Sequence, residues 1–380
     1  MSTTISIAQL GAGYIGKVHS LAYRALLSSA RPLDAHVELR TLVDDDAAVA
    51  ADVATRYGWT QTATDWADAA NDPAVSLFDN AGPNFIHEDP CIVAAKNGKH
   101  VLCEKPLAMS SDAAHRMWRA VSDAGVLHQC AFIYRAIPAI ALARQLIEAG
   151  EIGEVRHFRA NYLLSSPGTS DFPMSWRFDS ASSGTGALGD LGSHHVDLAR
   201  FLVGEPTEVT ALTEIFVPER SDQRVTTDDA FAALARFSSG ATASFEGSRV
   251  AGSQGLASRV EVDGSRGSLA FDLQRVNELA VSERGRSGFR TVNLTQIPHP
   301  YSDFWFPESV QAQPPIGWAE CFAHQAHWML SAISQGCALP TQAATFADGY
   351  RVAEVIDTMA RAASEKRWLP VQYRDLSGGA

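Results

Sequence analysis

A chain of 380 residues is longer than one hydrophobic core ordinarily supports, so the sequence predicts two domains. Hydrophobic residues at 46% and charged residues at 19% describe an ordinary globular composition. The net charge of −12 excludes nucleic acid as the main partner, since phosphate binding requires a basic surface, and no apolar run approaches the ~20 residues of a membrane-spanning helix.

The first residues, MSTTISIAQLGAG, carry no basic segment and no cleavage site, so no signal peptide is predicted. Residues 1–130 then alternate strand and helix signals: ISIAQLG, KVHSLAYRALLSSA, VELRTLVD, DAAVAADVATRYG, SLFDNAGP, HEDPCIVAAKNG, HVLCEKP, SSDAAHRMWRAVSDAG and LHQCAFIYR. Such alternation predicts βαβ units and a parallel sheet. The first strand runs into Gly11-Ala12-Gly13-Tyr14-Ile15-Gly16 and opens a helix, the context that gives a GxGxxG run its meaning. There Gly11 serves the tight turn, Gly13 the close approach of a pyrophosphate, and Gly16 the packing of helix on strand. The second strand ends on Asp44, placed to bind the adenosine ribose and to repel a 2′-phosphate, which predicts NAD in preference to NADP.

From about residue 131 the pattern changes. PAIALARQLIEAG is a helix, and then period-2 strands follow one another: VRHFRANYLL, TEVTALTEIFV, DAFAALARF, ATASFEGSRV, RVEVDG, GSLAFDL, ELAVSER and FRTVNL. Strands in succession predict an antiparallel sheet, hence an α+β domain over 131–380. GYRVAEVIDTMARAASEKR closes the pattern as an amphipathic helix with Ala353, Ile356, Ala360 and Ala363 on one side. Two long loops, 165–186 and 298–318, stand out as functional candidates, the second strongly aromatic.

The run GALGDLGSHHVDLARF (186–201) holds two adjacent histidines. Asp190 and His194 are four apart and share a helix face, continued by Asp197 and Phe201. His195 falls on the apolar stripe Leu191, His195, Leu198, Leu202 and is predicted to pack or support rather than react. Asp197 is expected to pair with an arginine such as Arg200. Trp176 suits the C–H face of a sugar ring, and Arg177 suits hydroxyls or pyrophosphate. Tyr134 and Arg135 end the interdomain strand and are expected in the same cleft; Tyr301, Phe304, Trp305, Phe306 and Trp318 are expected either over the substrate or between subunits. The five cysteines are scattered, without Cys-x-x-Cys spacing, and no histidine has a ligand spacing with acids. They predict a reducing cytoplasm, no disulfide and no metal site.

GAGYIG, CEKP (103–106) and GALGDLGSHHVD (186–197), in this order, resemble the Gfo/Idh/MocA family of NAD(P)-dependent sugar and polyol oxidoreductases. The likeness runs almost end to end. SLAY, AFIYR, SWRF and HPY bring it nearest to the levoglucosan dehydrogenase and glycoside 3-dehydrogenase branch, with myo-inositol dehydrogenases more distant. The resemblance implies a Rossmann domain followed by an α/β domain whose open sheet builds a homodimer or homotetramer. It implies catalysis by Lys105, Asp190 and His194, with Pro106 cis. The cofactor set it suggests adds Tyr14, Ile15, Pro83, Asn84, His87, Glu104, Lys105, Trp176 and Arg177 to the glycines and Asp44; the substrate set is Lys105, Tyr134, Arg135, Trp176, Asp190, His194 and Tyr301. GPNFIH (82–87) departs from the commoner Thr-Pro-Asn by Gly82.

The chemistry fits oxidation of a secondary ring hydroxyl, at C3, of a sugar, anhydrosugar or glycoside. Imidazole titrates near neutrality and suits the base; a lysine beside the developing alkoxide supplies charge, and burial among cations is expected to lower its pKa enough for proton relay. An acid nearby is expected to orient the imidazole. Which of His194 and Lys105 takes the proton stays open here. The alternatives are an inositol dehydrogenase or a 3-keto-sugar reductase, and, in another class, a non-catalytic NAD-binding regulator, which would tend to lose the lysine or histidine retained here.

Overall fold

A computed structural model describes residues 3–252, 255–283, 285, 287–307 and 314–376. The first half is a six-stranded parallel sheet: β1 (Thr3–Leu10), β2 (Ala35–Val43), β3 (Gln61–Ala63), β4 (Leu77–Asn80), β5 (His100–Cys103) and β6 (His128–Cys130), in the order β3-β2-β1-β4-β5-β6. Every pairing is parallel, and β1 and β4 are buried nearly throughout, as sheets covered on both faces require. Five helices make the crossovers: α1 (Tyr14–Ala25), α2 (Ala47–Tyr57), α3 (Trp66–Asn71), α4 (Glu88–Lys96) and α5 (Ser111–Asp123). Three of these starts, those of α2, α3 and α5, are set by side chains. Asp46 caps α2 by accepting from the Ala48 and Val49 amides, and Ser110 caps α5 at Ala113. The order reverses between β1 and β4, and the crevice at the carboxyl ends of those strands is where sheets of this kind bind ligands.

After α6 (Pro138–Glu148) the chain builds a nine-stranded sheet from β7 (Val155–Leu164), β8 (Pro206–Glu214), β11 (Ala230–Phe237), β12 (Thr242–Ser248), β13 (Leu256–Gly264), β14 (Gly267–Asp272), β15 (Glu278–Glu283), β16 (Arg290–Asn293) and β17 (Leu369–Pro370). A separate small hairpin, β9 (Glu219–Arg220) and β10 (Gln223–Arg224), lies in the β8–β11 connection. The order is β16-β15-β14-β13-β7-β12-β11-β8-β17, antiparallel except where β7 meets β12. Burial alternates strictly along β11, so one face lies on the core and the other, with Leu212 and Leu234, is open. The strand ELAVSER ends at Glu283, and Arg284 lies outside the described residues, as do residues 308–313 of the aromatic loop.

Five more helices complete the described residues: α7 (Ser180–Ser183), α8 (Ala187–Asp190) and α9 (Gly192–Leu202), then α10 (Cys321–Gln335) and α11 (Phe346–Glu365). That last group of two reaches back to the first half: α10 lies on α1, and α11 bridges α5 of the first half and β8 of the second sheet. The Thr345–Asp348 capping box starts α11, and the Phe346 amide donates to His128 of β6. No described helix is long and apolar enough to cross a membrane.

Candidate active site

A cleft of about 380 Å³ opens at the carboxyl ends of β1, β2, β4 and β5, and the loop before α8 walls its far side. The glycine loop forms the floor. Gly11 adopts φ +97°, and a Cβ there would lie 2.7 Å from the Ala81 carbonyl oxygen. A Cβ on Gly16 would meet the Gly11 oxygen at 2.0 Å, so this residue serves helix–strand packing. Gly13 differs: nothing lies within 4 Å of its Cβ position, and it caps α1 without a side chain. The α1 amides therefore face open cleft, a setting that suits a pyrophosphate. Asp44 accepts from the Ala12 amide (2.7 Å) and lines the rim with Asp45, while Tyr14, 73% exposed, stands at the mouth. This donor set and open floor fit a dinucleotide.

The residues predicted to carry catalysis stand around Lys105 and Asp190. Lys105 follows β5 through a cis Lys105–Pro106 peptide. Its Nζ donates to the Asp190 carboxylate (Oδ1, 2.8 Å) and to the Asp190 carbonyl oxygen (3.0 Å). The other carboxylate oxygen of Asp190 accepts from Arg249 Nη2 at 2.9 Å, so two cations share one anion. Burial opposes the charge on Asp190, but Lys105 and Arg249 outweigh it and hold the carboxyl far below its usual range. Burial also opposes the Lys105 charge, and Asp190 with Glu104 reverses the balance, raising the ammonium above its ordinary 10.5. The expected lowering of that pKa is thus corrected: the neighbours of Lys105 are chiefly anions.

His194, 8% exposed, stacks on Tyr134 with centroids 4.6 Å apart. Its Nδ1 is buried without a hydrogen-bond partner among the described residues. Burial first, then the Lys105 charge, pushes the imidazole well below 6.5, so it is neutral at physiological pH. The helix is interrupted at Leu191, between α8 and α9, and Asp190 spends both oxygens on cations. Its expected role of orienting the imidazole is not what the geometry provides; it aims the lysine. The start of α8 is held by Asp228, whose carboxylate accepts from the Gly186 and Leu188 amides, both at 2.7 Å.

Family models match both halves: an oxidoreductase family with an NAD-binding Rossmann fold over residues 5–132, and the GFO/IDH/MocA C-terminal domain over 140–270. The chain is 35% identical to levoglucosan dehydrogenase of Pseudarthrobacter phenanthrenivorans, covering 97% of this chain and 98% of that protein. The chain belongs to the Gfo/Idh/MocA oxidoreductase family. It is also 27% identical to inositol 2-dehydrogenase of Rhizobium meliloti over 97% of this chain and 99% of that one. A levoglucosan dehydrogenase structure in complex with NADH and levoglucosan superposes with a TM-score of 0.92 at 36% identity, covering 97% of this chain and 100% of that one.

Against that family frame the residues read from sequence divide. Gly11, Gly13, Tyr14, Ile15, Asp44, Pro83, Asn84, Glu104, Lys105, Trp176, Arg177 and Asp190 line one cleft, joined by Arg249. Trp176 meets Phe85 edge-on (6.3 Å), and the Arg177 guanidinium lies 4.4 Å from the Trp176 ring centroid. His87 sits behind the wall, wedged between the Gly82 (3.0 Å) and Pro106 (2.9 Å) carbonyls, where it ties the two loops together. Arg135 does not reach the cleft. It is buried against Asp197 (2.6 and 2.9 Å) and Asp348 (3.2 Å). Asp197 accordingly pairs with Arg135 rather than Arg200, whose guanidinium serves Glu205 and Asp348.

Tyr301 also lies elsewhere, stacked on His324 (4.2 Å) beside Trp305, whose Nε1 donates to His324 at 3.0 Å. The described part of the aromatic loop packs on α10 and on the segment after α1, where the Ala30 amide donates to the Phe304 oxygen. His195 is fully buried and meets Ser258 Oγ at 3.1 Å.

Two residues beside Lys105 and Asp190 escape sequence reasoning. Arg249 directly follows the alternating strand β12, and an arginine after apolar alternation (EGSRV) was the available signal. Tyr162 of β7 pairs its phenol with Tyr134 and feels the Lys105 charge; its strand pattern gave no warning.

Proposed function

We propose that this protein is an NAD-dependent dehydrogenase that oxidises a secondary ring hydroxyl, at C3, of a sugar, anhydrosugar or glycoside. One observation carries the reading: a charged lysine, ion-paired to an Asp190 that Arg249 also holds, lines the cleft at the carboxyl ends of the sheet and helps to keep the buried His194 neutral. The likeness to levoglucosan dehydrogenase over nearly the whole chain supports the substrate class. Asp44 and Asp45 on the rim favour the unphosphorylated ribose of NAD.

His194, being neutral, accepts the hydroxyl proton. Lys105 donates to the same oxygen and offsets the negative charge that grows there. Asp190 keeps the ammonium aimed, and Arg249 keeps Asp190 ionised when the lysine turns toward substrate. The paired phenols of Tyr134 and Tyr162 offer hydrogen bonds to neighbouring hydroxyls. Gly13, the α1 amides and Arg177 hold the pyrophosphate; bound there, NAD supplies the hydride acceptor. Residues 1–130 thus provide most of the cofactor half, and 131–380 provide Arg177 and the substrate half.

Following NADH absorbance with purified protein across levoglucosan, glucose, glucosides and inositols tests this. Turnover of a pyranose or anhydrosugar with NAD, faster than with NADP, is expected. Turnover of inositols alone would replace the reading with an inositol dehydrogenase. NAD binding without turnover of any polyol would replace it with a regulator.

A further inference from the structure

Beneath Lys105 lies a second constellation that the reaction as described does not use. His19, on the buried face of α1, is 3% exposed. Its Nδ1 lies 2.9 Å from Asp79 Oδ2 on β4, and its Nε2 lies 3.1 Å from Glu104 Oε1 just after β5. The Tyr23 phenol, one turn on from His19, donates to the same Asp79 oxygen at 2.8 Å. The remaining oxygen of Glu104 accepts from the Lys105 backbone amide at 3.0 Å. The ring of Phe322 on α10 covers the imidazole at 5.6 Å.

We infer that His19 is a positioning residue of the reaction centre: as an imidazolium bridging Asp79 and Glu104, it fixes Glu104 against Lys105 and completes a line of alternating charges that ends at Arg249. The inference rests on the reading of Lys105 as catalytic.

The geometry carries the protonation state. An ionised carboxylate only accepts, and a neutral imidazole has a single N–H, so two carboxylates at two ring nitrogens call for two N–H donors. A neutral ring would leave one buried carboxylate facing a nitrogen lone pair, an arrangement low-dielectric surroundings penalise. Burial alone would lower the imidazole pKa, but Asp79 and then Glu104 overturn it and raise it to about 10. The array then reads Asp79 anion, His19 cation, Glu104 anion, Lys105 cation, Asp190 anion, Arg249 cation. Without His19, Asp79 and Glu104 are buried carboxylates without their shared cation. Glu104 then loses the contact that fixes its side chain, and Lys105 loses its backbone anchor.

Two substitutions separate positioning from mere filling. His19→Gln keeps an amide donor near the Nε2 position, toward Glu104, whereas His19→Asn keeps one near Nδ1, toward Asp79. The expected result is a kcat about tenfold higher in the Gln variant than in the Asn variant. The Asn variant should lie roughly 10- to 100-fold below the parent, with NAD dissociation constants of both within about twofold of it. Equal kcat in the two variants, or the reverse order, overturns the inference. A second measurement needs no variant: nitrogen-15 histidine spectra of the intact protein at pH 8.5, ~2 units above an ordinary imidazole. One imidazole with both nitrogens protonated is expected there, and its absence overturns the inference. A Lys105→Met variant in the same assay keeps the two claims apart, since activity retained in it would defeat the reading of Lys105 and leave the His19 charge state standing.

Discussion

At the scale of single residues, the cofactor floor and the proton acceptor make separable predictions. Gly13 has open space at its Cβ position, so Gly13→Ala meets no protein atom. Replacing a glycine cap by alanine should change unfolding free energy by no more than about 1 kcal/mol, while the added methyl takes space the pyrophosphate needs. Titration calorimetry should then show NAD affinity weakened at least tenfold in a protein of nearly parental stability; unchanged affinity would remove Gly13 from the cofactor site. The second prediction concerns pH. His194 must be neutral to accept a proton, and its pKa lies well below 6.5 because of burial and then Lys105. Activity lost on protonation is therefore lost only as pH falls below 6.5. Lys105 is raised above 10.5, so its charge, and the stabilisation it gives the alkoxide, persists until pH rises past that value. A kcat/KM profile should be flat across neutrality and into the alkaline range. An acid limb centred at or above 6.5 would show that another group, or an unperturbed histidine, is the base.

At the scale of elements, the buried cluster behind the cleft shows what burial asks of charges. Arg135 after β6, Asp197 on α9 and Asp348 at the start of α11 meet in one ion-paired group, with Arg200 and Glu205 alongside. Removing one member leaves the others buried and uncompensated. Arg135→Ala should therefore cost about 3–5 kcal/mol in urea unfolding, with the NAD dissociation constant of the folded fraction unchanged; a cost under about 1 kcal/mol would show that the cluster contributes little. This cluster also explains a misreading. From sequence, Arg135 and Tyr134 are neighbours with equal claims on the cleft, but they sit in a short turn of 3₁₀ helix that sends one ring to His194 and the other side chain to Asp197. Periodicity reads which face of a helix or strand is apolar. It does not read where an irregular turn points its side chains. Along α9 periodicity does place His195 on the buried stripe, but the break at Leu191 separates Asp190 from the His194 helix, so their shared face is not what joins them to the cleft.

At the scale of the whole molecule, the two sheets were legible because each declares itself locally: βαβ alternation in one half, successive period-2 strands in the other. The glycine loop, Asp44 and Lys105 were legible for the same reason, as motif positions on strand ends. What was hidden depends on contacts between distant segments. Arg249 reaches Asp190 across 59 residues, Lys105 reaches Asp190 across 85, and His19 reaches Glu104 across 85. No local pattern encodes such pairings: His19–Glu104 and Arg249–Asp190 form as each half folds on itself, and Lys105–Asp190 forms only when one half closes on the other. The cleft therefore divides between the halves: Gly11, Gly13, Asp44 and Lys105 follow strands of the parallel sheet, whereas Trp176, Arg177, Asp190 and Arg249 come from the second half. That division makes one measurement decisive. His194→Ala, assayed with NAD and the best sugar substrate of the panel, should lose roughly 10²- to 10⁴-fold in kcat/KM, while its NAD dissociation constant stays within about twofold of the parent. Full turnover in that variant would contradict the assignment of His194 as the base, and with it the account of how this cleft works.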